Sequence, residues 1–129
     1  MSDTEKYMER AHDALETARI LFENRKYNSA VSQAYYSMYY AAKALLSVKS
    51  IHPKTHKGVV SKLGLEFVSK GYLDEIYGKA LVKALKLREK VDYDVYYSAS
   101  EDEAISSIDE AEKFIGRIEL ALKQLSKQD

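Results

Sequence analysis

The sequence predicts an all-α protein, a compact up-down bundle of four to five helices, and three observations carry that expectation. Only five Gly and one Pro interrupt 129 residues rich in Ala, Leu, Lys and Glu, so helix breakers are few and helix formers many. Apolar residues recur at alternating spacings of three and four through most of the chain. Two Ser-x-x-Glu signatures, Ser2 with Glu5 and Ser100 with Glu103, mark helix starts by capping boxes. The length fits a single domain over residues 1–129, enough to bury one sizeable core.

The first helix opens at Ser2 and should bury Met8, Ala11, Leu15, Ala18 and Phe22, with His12 beside that stripe at the surface. Asn24, Arg25 and Lys26 form a short polar turn, which favours an antiparallel neighbour. The second helix, from about Asn28 to Ser47, packs Tyr35, Tyr36, Tyr39 and Tyr40 into one short run. Val31, Tyr35, Met38, Ala42 and Leu45 make one apolar stripe, whereas Tyr36 and Tyr40 lie on another face with Ser32, Ser37 and Lys43. Two tyrosine faces cannot both enter one core, so one packs inside with its hydroxyl bonded. The other is left for a subunit interface or for stacking on a base.

The connection VKSIHPKTHKGVVSK holds the single Pro and two of the three His. Its Lys49, Lys54, Lys57 and Lys62 meet no acid until Glu66, making it the best candidate anion patch. Thr55 is placed to N-cap the third helix, which puts His56 and Lys57 in its first turn against the helix dipole. That helix should bury Val59 or Val60, Leu63, Phe67 and Val68 and stop at Gly71. The fourth begins near Asp74 with Ile76 or Tyr77, Ala80, Ala84, Leu87 and Val91 as its main core stripe, and weak helix formers end it across residues 92–97. The fifth starts after Ser100 and runs through Ala104, Ile108, Ala111, Ile115, Ile118, Leu122 and Leu125 almost to the C-terminus.

Composition excludes several classes of function. The net charge is zero, so no global field draws nucleic acid or anionic membrane, and any such binding needs a local patch. Without cysteine there are no disulfides, thiolate metal sites or cysteine nucleophiles, and a reducing cytoplasm suits the chain. The charged N-terminus lacks the apolar core of a signal peptide, and no apolar run approaches the ~20 residues of a membrane span. No glycine-rich phosphate loop, HExxH motif or serine elbow occurs, and no cofactor is expected. His52 and His56 are four apart, but Pro53 lies between them and no third ligand is near, so no metal site is assigned.

One stretch breaks the apolar pattern. In LVKALKLREKVDYDVYY, residues 81–97, Leu81, Leu85, Arg88 and Asp92 form a helical stripe that begins apolar and ends in opposite charges. As an exposed pair, Arg88 and Asp92 are worth only ~0.3 kcal/mol, too little to explain their place on an inward stripe. A guanidinium there is either an internal strut or the floor of an anion site, which it would bind bidentately. Asp92, Tyr93 and His56 are its candidate neighbours.

The strings AYYSMYYAAKALL, KTHKG, LREKVDY and DEAEKFIGRIELAL, in this order, resemble the small stand-alone branch of the HEPN superfamily over nearly the whole chain. The resemblance implies a four- or five-helix bundle that pairs into a homodimer, its helix-four arginine facing the cleft between subunits. It further implies a minimal nucleotidyltransferase partner, often in a toxin and antitoxin system. Active members of the superfamily are metal-independent ribonucleases that use an Arg, then four to six residues, then a His. Here Arg88 matches the arginine, but Tyr93 stands five residues later and no histidine follows. A tyrosine with a reference pKa of about 10 is a poor general base. The leading expectation is therefore a dimeric domain that binds nucleotide or RNA through Arg88, Asp92, Tyr93, His56, Lys57, Tyr36 and Tyr40. The alternatives are a ribonuclease with a rearranged site, for which Arg88 and His56 are the catalytic candidates, and a purely structural partner whose Arg88 and Asp92 brace the dimer.

Overall fold

The structure is a computed structural model that describes residues 2–127. Five α-helices and one π-helical turn follow in order: α1 (Asp3–Glu23), α2 (Tyr27–Ser47), α3 (His56–Leu63) running into the π turn Gly64–Val68, α4 (Glu75–Tyr93) and α5 (Glu101–Ser126). There is no strand among the described residues.

The helix starts follow the side-chain chemistry. Ser2 accepts the Glu5 N–H, Thr55 the Gly58 N–H and Asp74 the Ile76 N–H, each satisfying an amide that the first turn leaves orphaned. At α5 the capping box is complete, because Ser100 Oγ accepts from the Glu103 amide and the Glu103 carboxylate accepts from the Ser100 amide. Between α1 and α2 the chain turns within three residues, with Arg25 at φ 60°.

Helix α2 is the centre of the bundle and touches α1, α3, α4 and α5. Its Val31, Tyr35, Met38, Ala42 and Leu45 are buried as the stripe predicts, and so are Ala30, Ala34, Ala41, Ala44 and Leu46. Fully buried alanines on α2 and Ala11 and Ala18 on α1 let the two backbones approach closely along their length. Ser37, expected on the polar face with Tyr36, is buried, its hydroxyl bonding back to the Ala34 carbonyl at 2.6 Å. That local bond lets a hydroxyl occupy the core. On α5, Phe114 and Ala121 join the predicted seam, widening it beyond a heptad line.

Two expectations for the middle of the chain need correction. The third helix ends at Val68 rather than Gly71: a π turn closes it, with the Ser69 N–H reaching the Gly64 carbonyl, and Gly71 then takes φ +84° in the following loop. On α4 the two stripes exchange roles. Leu81, Leu85 and Arg88 are the buried residues, while Ala80, Ala84, Leu87 and Val91 are half-buried and Ile76 is exposed. Helix α4 leans its Leu81 side on α2 and makes little contact with α5, so the second stripe faces an open cleft. A stripe read from spacing alone does not reveal which of two neighbours is close enough to cover it.

Removal of the α5 cap gives a direct check on this account. Ser100→Ala should cost ~1 kcal/mol, seen as a lower urea midpoint at unchanged m-value, since the Glu103 amide loses its acceptor.

Candidate functional site

Three helices converge on Arg88. The residue itself is 9% exposed in the last turns of α4. Its Nε donates to Asp92 Oδ2 at 2.9 Å and its Nη2 to the Tyr36 hydroxyl at 2.8 Å, with a long contact of 3.5 Å to the Tyr93 hydroxyl. The guanidinium also lies 5.3 Å from the Tyr36 ring centre, 5.5 Å from that of Tyr93 and 5.8 Å from that of Tyr35. Ser32, one turn before Tyr36 on α2, donates its hydroxyl to the other oxygen of Asp92. Burial works against the charge of Arg88, but Tyr36, Tyr93 and Asp92 outweigh it, so its pKa is raised and it stays a cation. Nη1 makes no hydrogen bond among the described residues and is not sealed from solvent.

His56 enters from the start of α3. A side chain on Gly58 would place its Cβ 2.8 Å from Thr55 Oγ1 and 3.2 Å from Pro53 Cβ, so glycine is what allows the Thr55 cap and Pro53 to close over this turn. Held there, the imidazole sets Nδ1 2.6 Å from the buried Tyr35 hydroxyl, and its ring lies 4.5 Å from that of Tyr39 at a tilt of 35°. Its ring centre is 5.8 Å from that of Tyr36 and 5.6 Å from that of Tyr35, the two phenols that also lie beside the Arg88 guanidinium. Burial pushes the His56 pKa below its ordinary value, and the charges of Arg88 and Lys43 lower it further against a small opposing effect of Glu89. A neutral imidazole also removes the conflict with the α3 dipole. Burial, with Tyr39 nearby, holds the Tyr35 phenol far above the usual tyrosine range, so it remains protonated.

Of the residues picked out by sequence, Arg88, Asp92, Tyr93, Tyr36 and His56 form one connected cluster, and Tyr40 stands at its edge against Tyr36 and Tyr39. Lys57 is exposed one residue beyond His56 and makes no ion pair among the described residues. The lysine patch is thinner than its spacing indicates, because Lys49 folds back on Glu66 and over the Phe67 ring. Three members of the cluster were not picked out as site residues, and of these Tyr35 was read as core. Ser32 lies one helical turn from Tyr36 and was already on its face, while Tyr39, four residues beyond Tyr35, sits between the two stripes and belongs clearly to neither. Among the described residues no three His, Asp or Glu side chains gather as a metal site, and no helix is long and apolar enough to cross a membrane.

This arrangement offers a buried, oriented cation with one nitrogen unspent, a tilted shelf of Tyr36, Tyr39 and Tyr40 beside it, and a neutral histidine on the same shelf. Such a surface can take an anionic group on the guanidinium and a planar ring on the phenols.

A family model for the HEPN domain matches residues 4–121, and the chain belongs to that family. Among its relatives is a Methanocaldococcus jannaschii protein named "Putative toxin", 48% identical over 118 residues that span 92% of this chain and 87% of the relative. A second protein of that organism with the same designation is 37% identical over 102 residues, 79% of this chain and 69% of the relative. A "UPF0332 protein" of Thermotoga maritima is 30% identical over 131 residues, 98% of this chain and 99% of the relative.

The cluster makes two predictions about stability. Tyr36→Phe removes the acceptor of a partly buried, charge-assisted bond and should cost about 1.5–3 kcal/mol in urea unfolding. Because the folded pKa of His56 lies below 6.5, the unfolded chain binds its proton more readily. The His56 contribution is therefore full above about pH 6.5 and is lost as pH falls from there through the folded pKa. Unfolding free energies at pH 7.5, 6.5 and 5.5 should fall less steeply with acid in His56→Gln than in the wild type; parallel slopes would contradict the assignment.

Proposed function

We propose that this chain is a single HEPN domain of toxin type that works as a homodimer and binds RNA or a nucleotide at the Arg88 face. Its partner on this reading is a small nucleotidyltransferase acting as antitoxin. The observation that carries the reading is the state of Arg88, buried and gripped on two of its three nitrogens while Nη1 is left for an incoming phosphate oxygen. A guanidinium used only as a strut would have no reason to keep one nitrogen toward solvent beside a row of phenols. The names of the M. jannaschii relatives support the toxin class. Exposed Tyr93, Val95 and Tyr96, the last 95% exposed, support pairing, since they leave apolar surface uncovered at the end of α4, where Tyr93 lies beside Arg88.

Metal-independent RNA cleavage is the second reading, favoured by the position of His56. In the tautomer that donates Nδ1–H to the Tyr35 oxygen, Nε2 presents a lone pair, and a depressed pKa keeps it available at neutral pH. His56 would then take the ribose 2′-hydroxyl proton in place of the absent motif histidine, with Arg88 stabilising the phosphorane charge.

Titration of labelled single-stranded RNA and of nucleotides separates these readings. Arg88→Gln should weaken binding at least tenfold and Arg88→Lys less, with circular dichroism confirming the fold of both. Equal affinity in all three would remove Arg88 from the site. If the variants instead lose the dimer by light scattering, and wild type binds nothing, Arg88 is a structural brace. RNA cleavage in EDTA that is abolished by His56→Gln, with binding retained, would establish the ribonuclease; no cleavage at high protein concentration would dismiss it.

A further inference from the structure

The side of α4 that does not carry Arg88 lines a cleft of about 940 Å³ between α4 and α5. Val31, Ala34, Tyr35 and Met38 of α2 form its floor, with Val60 and Val68 at one end and Val82 and Leu87 along the α4 wall. The two rims carry opposite charge. Lys79, Lys83, Lys86 and Lys90 recur at helical spacing along α4, where Glu75 pairs with Lys79 at 3.4 Å, and they face Asp102, Glu103 and Glu110 on α5. Lys83 and Glu110 are joined across the opening at 3.2 Å, but their side chains are 69% and 36% exposed, so this clasp is weak and readily exchanged for other partners. Gly64 and Gly78 also line the cleft, so its wall lacks two side chains that would otherwise narrow it.

We propose that this cleft is a docking site for an amphipathic helix of a partner protein, with an aliphatic face, an acidic edge against α4 and a basic edge against α5. The wall from Glu75 to Lys90 spans about 22 Å at ~1.5 Å per residue, room for four turns of helix anchored at i, i+3, i+4 and i+7. Charge complementarity selects this occupant. A lipid or fatty acid carries one sign and would meet a repelling rim on α5, whereas a helix can present both signs and fix its own direction in the groove.

Gly64 provides a way to close the cleft without harming the fold. Its backbone is right-handed helical, at φ −60° and ψ −48°, and nothing lies within 4 Å of an added Cβ. Gly64→Phe should therefore match the wild type in thermal midpoint while filling the groove. The probe is a stapled eighteen-residue helix with a leucine face, a glutamate edge and a lysine edge, with an edge-exchanged version as control, followed by fluorescence anisotropy. Wild type should bind the first peptide saturably and at least tenfold more tightly than the second, and both Gly64→Phe and the pair Lys79→Glu with Lys86→Glu should remove that binding. Absence of saturable binding, or binding of both peptides regardless of Gly64→Phe, would overturn the proposal. So would binding of phosphatidylglycerol vesicles, or self-association, that Gly64→Phe abolishes in place of peptide binding, since those outcomes assign the groove to a membrane or to a second copy.

Discussion

A guanidinium can be taken out of water only if its lost hydration is replaced, and Arg88 is nearly buried in a bundle whose core is otherwise almost wholly apolar. Every nearby polar choice answers that demand. Asp92 supplies the countercharge from the same helix, Ser32 fixes that carboxylate from α2, Tyr36 accepts the second donor, and three phenol faces give the cation an electrostatic lining. Because these groups come from α2 and α4, the relative register of two helices is tied to a few hydrogen bonds of definite geometry. An apolar contact alone would tolerate sliding.

The histidine arm follows from the same arrangement. Tyr35 is the one side chain that touches the apolar floor of the cleft, the Arg88 cation and His56. Its hydroxyl needs a partner once buried, and the first residue of α3 provides it. Thr55, Pro53 and Gly58 set that residue in place, so a cap that looks like routine helix punctuation also decides where an imidazole stands. Burial first, and the cation beside it second, favour the neutral imidazole, which is the form able to accept a proton.

Helix α4 thus has two working sides. One carries the buried charge and packs against α2; the other is half-buried, lined with lysines and turned toward a gap that α5 does not fill. A helix in a closed bundle needs only one apolar stripe, and the second stripe is explained by the gap it faces.

The helices, their caps and most of the core were legible in the chain itself, because helical periodicity and capping chemistry are local properties. Ser2, Thr55, Asp74 and Ser100 cap the helices they precede, and the α2 and α5 stripes enter the core as their spacing requires. Sequence by itself also singled out Arg88, since a charge on an apolar stripe conflicts with the pattern around it, and it identified the HEPN family that the comparison bears out. What only the tertiary structure decided is which surfaces meet. The main stripe of α4, the burial of Ser37, the return of Lys49 to Glu66 and the approach of His56 to Tyr35 all depend on distances between elements far apart in the chain. Periodicity assigns a residue to a face of its own helix. It carries no information about what stands opposite that face, and for Arg88 and Asp92 the opposite face supplies Tyr36, Ser32 and the Tyr35 ring that also meets His56.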